Sequence, residues 1–247
     1  MPAVSGLIVS VQVGGVAPLG PKGVPSGFIK RPVDEPVMAG RFGLAGDEQA
    51  DRRVHGGPAK AVYCYPVEHY RSWRTTMPQH AALLVPGGFG ENLTTEGFDE
   101  DNVAIGDIFR IGRATAQVTQ PRQPCFKLAL RFEDPQMGRA MVRLGFSGWY
   151  LRILEPGLIG AGAPITLVDR PNPAWSITRF NQLIKKGAGA LEESAELADL
   201  RGLAHSWRKV ARASLTAASK HHARFSPAEA SGPPPPDDSS LRHSSSS

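Results

Sequence analysis

Hydrophobic and polar positions alternate in short runs over the first two thirds of the chain. Leu7-Ile8-Val9-Ser10-Val11-Gln12-Val13 comes first. Val103-Ala104-Ile105, Ile108-Phe109-Arg110-Ile111, Thr115-Ala116-Gln117-Val118-Thr119 and Ile165-Thr166-Leu167-Val168 follow. A period of two, closed by Gly, Pro or Asp, predicts strands and turns. Two segments keep helical spacing instead. Pro66–Arg74 places Val67, Tyr70 and Trp73/Arg74 on one side, and Asp134–Leu144 has Met137, Met141 and Leu144 in register. Many short strands with few helices predict a mainly β fold, a barrel or barrel-like sheet, over residues 1–171.

Beyond Pro171 the period changes. Ile177, Phe180, Leu183 and Ile184 fit one helical face, and Leu191, Ala195, Ala198 and Leu200 a second. Leu203, Trp207, Val210, Ala211 and Ser214/Leu215 fit a third, with Gly187, Gly189 and Gly202 as separators. Three short helices form too small a core to stand alone, so 172–215 reads as an appended module. From Ser226 to Ser247, 13 of the 22 residues are Ser or Pro. Such a stretch cannot bury enough apolar surface to offset chain entropy, and 216–247 is expected to be a largely disordered tail.

Composition narrows the function classes. The chain has 247 residues, 41% of them hydrophobic, enough for one sizeable domain plus something smaller. No apolar run reaches the length of about 18 residues that a membrane-spanning helix needs. The first twenty residues lack the early Lys or Arg of a secretory signal. Two cysteines exclude a disulfide-built fold, and a cytoplasmic setting is expected. The net charge of +5 is shared between both parts of the chain, and the aromatics are not interleaved with the cations. Nucleic-acid binding is therefore not expected.

Three clusters offer chemistry. Gly43-Leu44-Ala45-Gly46-Asp47 leads into Arg52-Arg53-Val54-His55-Gly56-Gly57-Pro58-Ala59-Lys60. Paired glycines can turn successive backbone N–H groups toward an anion, with Arg52, Arg53, His55 and Lys60 around them. A tight turn with solvated arginines accounts for the same string. Phe89-Gly90-Glu91-Asn92-Leu93-Thr94-Thr95 is, by itself, an Asx or Thr turn. The most telling cluster is Gln120-Pro121-Arg122-Gln123-Pro124-Cys125-Phe126-Lys127. Two prolines stiffen this loop and fix where Cys125 points. Arg122 and Lys127 favour the thiolate, which is both nucleophile and soft-metal ligand. Cys64, in Ala61-Val62-Tyr63-Cys64-Tyr65, has only apolar and aromatic neighbours and reads as a small buried hydrophobe. No CxxC, zinc spacing, phosphate-binding loop or dinucleotide fingerprint occurs.

Taken in order, these clusters resemble the MOSC family, the domain also found at the C-terminus of molybdenum cofactor sulfurases. The matching strings are GLAGDEQADRRVHGGPAKAV, YPVEHYRSW, FGENLTTEG, IGDIFRIG and QVTQPRQPCFKL. They span about residues 5–170. The helical module, with Trp175-Ser176-Ile177 and Gly202-Leu203-Ala204-His205-Ser206-Trp207-Arg208, resembles the three-helix extension of one bacterial branch. That branch includes proteins that detoxify N-hydroxylated bases such as 6-hydroxylaminopurine.

The resemblance implies a β-barrel core holding molybdenum cofactor, a pyranopterin with a dithiolene and a phosphate. Cys125 matches the family's metal-binding cysteine. Arg122 and Lys127 would hold the thiolate, and Lys30, Arg53, His55, Gly56 and Gly57 would meet the phosphate or pterin. Asn92 and Thr94 would hydrogen-bond the pterin or hold its loop. The implied activity is two-electron reduction of N-hydroxylated small molecules, with electrons from a separate reductase, a flavoprotein. Family members that carry a persulfide are usually fused to a desulfurase, and no such fusion is expected here. A cofactor carrier or sulfur-transfer protein without turnover is the alternative. A protein that binds nucleic acid through its basic charge is a third.

Overall fold

The structure, a computed structural model, describes residues 5–51, 55–186 and 191–225. The Ser- and Pro-rich stretch 226–247, expected to be disordered, lies outside them. The strands are β1 (Ser5–Val13), β2 (Ala17–Leu19), β3 (Val24–Ser26), β4 (Arg31–Pro32), β5 (Val37–Gly40), β6 (Gly43–Leu44) and β7 (Val62–Pro66). β8 (Leu93–Glu96), β9 (Ile108–Ile111), β10 (Ala114–Pro121), β11 (Trp149–Glu155), β12 (Gly157–Ile159) and β13 (Pro164–Asp169) complete them. The helices are α1 (Glu68–Thr76), α2 (Phe126–Phe132), α3 (Gln136–Leu144), α4 (Ile177–Lys186), α5 (Leu191–Asp199) and α6 (His205–Phe225).

Seven strands close into a barrel in the order β1-β8-β7-β11-β10-β9-β13. The return pairing of β13 on β1 sets Ser5 opposite Thr166. Closure leaves no unpaired edge in the ring. β10 shows why this sequence makes a barrel wall: Ala114, Ala116 and Val118 are buried in the core, while Thr115 and Gln117 turn outward. β7 and β8 are parallel, and the chain makes the required crossover through α1.

β7 is buried along its whole length. Val62 and Cys64 face the barrel core, whereas Tyr63 and Tyr65 face a second apolar cluster, with Tyr70, Trp73, Phe89, Phe132 and Met141. A strand covered on both sides reads as one apolar run without alternation. Its period therefore gives no strand signal. The expected strand at Val103–Ile105 is instead a buried connection with one isolated bridge, Ala104 to Ser176. Its backbone is used by the helical segment: Ile105 N–H donates to the Trp175 carbonyl at 2.9 Å, and Ile177 N–H to the Val103 carbonyl at 2.9 Å.

The helices after Pro171 lie on the barrel. Trp175, Ile177, Phe180, Leu183, Leu197 and Leu203 belong to the same buried cluster as Ile105, Phe109 and Val118. Ala204 N–H also donates to the Thr119 carbonyl at 3.0 Å. α6 continues to Phe225, past the tail boundary read after Leu215, because Ala217 and Ala218 favour helix where the core-facing pattern has ended. No helix among the described residues is long and apolar enough to cross a membrane.

Candidate functional site

β10 ends at Pro121, where it pairs with Trp149 of β11, and Arg122 N–H still reaches the Gly148 carbonyl at 3.2 Å. The chain then leaves the barrel as a stiff Pro-bounded loop, and Cys125 is its last extended residue before α2. Leu128 N–H closes the first turn of α2 on the Cys125 carbonyl at 3.0 Å. The thiol is half-buried. Burial alone would raise its pKa. The His55 imidazole, the Arg122 guanidinium and the Lys127 backbone N–H outweigh burial and bring it down to about 7. Cys64 meets the opposite situation. Complete burial, helped by the Glu91 carboxylate, pushes its thiol up, and it stays inert.

Cys125 stands at the wall of a cavity between the barrel end and α2. Lys30, His55, Lys60, Arg122 and Lys127 line it, with Asp47 and Glu48 as its carboxylates. Arg122 is almost fully buried, its guanidinium 5.2 Å from the centre of the Tyr63 ring and 5.7 Å from that of Phe28. Aromatic faces hold a guanidinium without neutralising it. Lys60 has its ammonium 5.7 Å from the centre of the Tyr150 ring. Burial lowers its pKa, and Cys125 opposes that shift. Lys30 is buried against Asp47, which also accepts from Gly14 N–H at 3.0 Å. Burial lowers the Lys30 pKa against the pull of that carboxylate.

The far wall is shaped by a carboxylate. Glu91, fully buried, accepts hydrogen bonds from Gly87 N–H at 2.7 Å, Phe89 N–H at 3.2 Å, the Thr94 hydroxyl at 3.0 Å and the Tyr70 hydroxyl. Burial raises its pKa, while these donors hold it down. The network fixes loop 87–90, and Phe89 and Gly90 line the cavity. Gly90 has φ +77°, and a Cβ there would come within 3.1 Å of the Phe28 carbonyl, so the wall admits no side chain at that point.

The structure brings Lys30, His55, Asn92, Arg122, Cys125 and Lys127 together at the cavity. Arg53 lies outside the described residues. Gly56 and Gly57 are not among the lining residues. Gly57, at φ +87°, turns the chain into the 3-10 turn Pro58–Lys60 that delivers Lys60 to the cavity. Thr94 is also off the cavity: it accepts from Gln12 Nε2 at 3.1 Å and donates to Glu91, so it holds the loop. Asn92 touches the cavity, but its amide is engaged with Tyr63 N–H at 3.1 Å and the Gln12 carbonyl at 3.3 Å. Lys127 donates its ammonium to the Pro25 carbonyl at 3.0 Å, and its backbone N–H serves the thiol. Tyr63, Tyr150 and Phe28 carry no chemical signal in the sequence, and Glu91 reads there only as part of a turn. The signal for Tyr63 was the alternation with Cys64, which puts neighbours on opposite faces.

The donor set fits an anionic cofactor bound through a soft metal. It offers one thiol near neutral pKa, an excess of cations over carboxylates, and a buried His55 Nδ1 without a hydrogen-bond partner among the described residues. Among those residues no cluster of three or more His, Cys, Asp or Glu exists, so the metal would take one protein ligand and its other donors from the cofactor. The cavity has a volume of about 90 Å³, smaller than the usual ligand pocket of about 300 Å³ or more, so it would admit only one end of a large cofactor.

The model of the MOSC domain matches residues 51–166, the stretch that holds strands β7 to β12 and the Cys125 loop. This chain belongs to the MOSC domain family. It is 47% identical to protein YiiM of Escherichia coli over 150 residues, 61% of this chain and 67% of that protein. It superimposes on the crystal structure of YiiM from Geobacillus stearothermophilus with a TM-score of 0.73 at 35% identity, covering 85% of this chain and 99% of that one. It is also 38% identical over 178 residues to a protein of Gibberella moniliformis called a reductase, covering 72% of this chain and 32% of that much longer protein.

Proposed function

We propose that this MOSC protein is an oxidoreductase, a molybdenum-cofactor-dependent reductase of N-hydroxylated small molecules such as 6-hydroxylaminopurine and amidoximes. The observation that carries the reading is the Cys125 thiol, brought to a pKa of about 7 on the wall of a cation-rich cavity. Such a thiol is available as thiolate at neutral pH, the form a soft metal needs. The family and the reductase name of one relative support the oxidoreductase class.

In this reading Cys125 is the protein's metal ligand. Arg122 keeps a permanent positive charge beside the sulfur, and the Lys127 N–H steadies it. Lys30 and Lys60, with Arg53 from the loop before His55, meet the negative end of the cofactor. His55 hydrogen-bonds the Cys125 sulfur and can hold a proton beside it. The cofactor, when bound, supplies a metal that exchanges two electrons. The reaction is R–NH–OH + 2 e⁻ + 2 H⁺ → R–NH₂ + H₂O: the N–O bond breaks with its electron pair going to oxygen, which takes one proton and leaves as water, and nitrogen takes the two supplied electrons and the other proton. The sequence contains no flavin, haem or iron–sulfur motif. Electrons would come from a separate flavoprotein reductase docking on the charged surface.

The test is turnover by protein expressed in a host that makes the cofactor, with 6-hydroxylaminopurine as substrate and a chemically reduced viologen as donor. The reading expects adenine to form in step with viologen oxidation. A carrier or sulfur-transfer protein would hold molybdenum without forming adenine, and that result would displace the enzyme reading.

A further inference from the structure

Cys125 lines a second cavity as well as the first. An open groove of about 780 Å³ runs between α2 and α3 to the end of α4, with Cys125 and Pro124 at one end. Its volume lies within the range of small-molecule pockets, about 300–1,000 Å³. Its floor is apolar and unusually accessible. Phe126 is 61% exposed and Val142 is 41% exposed, although both adjoin well-packed helices. Its rim carries Arg139, Arg143 and Lys185, and no carboxylate lines it. Arg139 and Arg143 lie one turn apart on α3 and point to the same side. No ion pair or hydrogen bond engages the charged ends of these three side chains among the described residues.

An exposed aromatic ring flanked by unpaired cations, beside a reactive sulfur, has a specific complement. We infer that the groove seats the substrate and that it recognises a flat aromatic molecule carrying a phosphate monoester. The ring would lie against Phe126 and Val142, with its reacting end toward Cys125. The phosphate would lie on Arg139, Arg143 and Lys185. Guanidinium forks match phosphate oxygens in pairs, and three positive charges suit a dianion better than a neutral ligand. This inference rests on the reductase reading, because it makes the groove the substrate side of Cys125 and the smaller cavity the cofactor side. It names an anionic substrate class that the reductase reading leaves open.

Direct binding tests the groove without turnover. Adenosine 5′-monophosphate and adenosine are titrated calorimetrically into purified protein and into the double variant Arg139→Gln/Arg143→Gln. The expected result is at least tenfold tighter binding of the monophosphate, with the preference lost in the variant. Equal affinities, or a preference that survives in the variant, would overturn it. Turnover then separates the two readings. With loaded enzyme, the ratio of kcat/KM for the monophosphate nucleotide of 6-hydroxylaminopurine to that for the free base should be about ten or more, and should fall toward one in the variant. A phosphate preference in binding with no reduction of either compound would remove the reductase reading and leave the phosphate site. Reduction of both compounds at equal efficiency would remove the phosphate site and leave the reductase. A variant that keeps the nucleotide preference but has a raised KM for a protein electron donor would mark the groove as the donor's docking face and overturn the inference.

Discussion

The guanidinium of Arg122 lies 5.2 Å from the centre of the Tyr63 ring, and the two residues together place a permanent positive charge under the Cys125 loop. Tyr63 is held in turn by its hydroxyl, which donates to the Ser147 carbonyl at 2.9 Å. The next residue, Cys64, points the other way into the barrel core. One step along a strand thus separates a platform for a reactive thiol from a thiol that burial silences.

Removing the Arg122 charge should raise the Cys125 pKa. In protein without cofactor, iodoacetamide should modify one thiol, with a rate midpoint near pH 7. Arg122→Met should move that midpoint up by about one unit, the effect typical of losing a nearby opposite charge. An unmoved midpoint would show that the charge does not act on the sulfur.

The same thiol sets a pH dependence of stability. Its folded pKa, about 7, is below the ordinary thiol value of about 9, so the folded state favours the thiolate. The resulting stabilisation is complete above pH 9 and is lost as pH falls through 7. Thermal melts across this window should show that loss in the wild type and a flatter profile in Cys125→Ser. Identical slopes would contradict the assignment.

Lys30 and Asp47 form a buried pair, and breaking it from one side should cost stability. Lys30→Met leaves the Asp47 carboxylate with Gly14 N–H and Gln49 Nε2 as its donors among the described residues. Removing one partner of a buried pair typically costs about 3–5 kcal/mol, and these remaining donors place the expected loss at the low end. Lys30→Met/Asp47→Asn should recover part of it, measured by urea denaturation.

Phe180 of α4 is fully buried, and its ring centre lies 5.1 Å from that of Trp207 on α6. Phe180→Ala should cost about 3–5 kcal/mol. Because Phe180 belongs to the cluster that fills the barrel, far- and near-UV circular dichroism should report one transition. Two separated transitions would show that the helices melt as a unit of their own.

The barrel was legible where strands have one wet face. Thr115–Thr119 and Ile108–Ile111 alternate because Thr115, Gln117 and Arg110 look outward. β7 was not legible because both its faces are covered, and α2 because seven residues give too few turns for a helical period to register. The Cys125 loop could be read because two prolines and two cations mark it locally. Partners from elsewhere in the chain could not: the Glu91 network and the Tyr63 platform depend on which residues closure of the barrel brings together. The turn at Gly57 depends on the fold in the same way: with φ +87° it leads into the 3-10 turn that brings Lys60 to the cavity.

Metal content of the Cys125→Ser variant tests the central claim most directly. Wild type and variant would be expressed side by side in a host that makes molybdenum cofactor, and their metal measured by mass spectrometry. A hard hydroxyl is a poor ligand where a soft thiolate is wanted, and the change removes little packing from a half-buried loop position. The account predicts about one molybdenum per wild-type chain, almost none in Cys125→Ser, and a closely similar melting temperature for the two cofactor-free proteins. Wild-type levels of molybdenum in folded Cys125→Ser would contradict it.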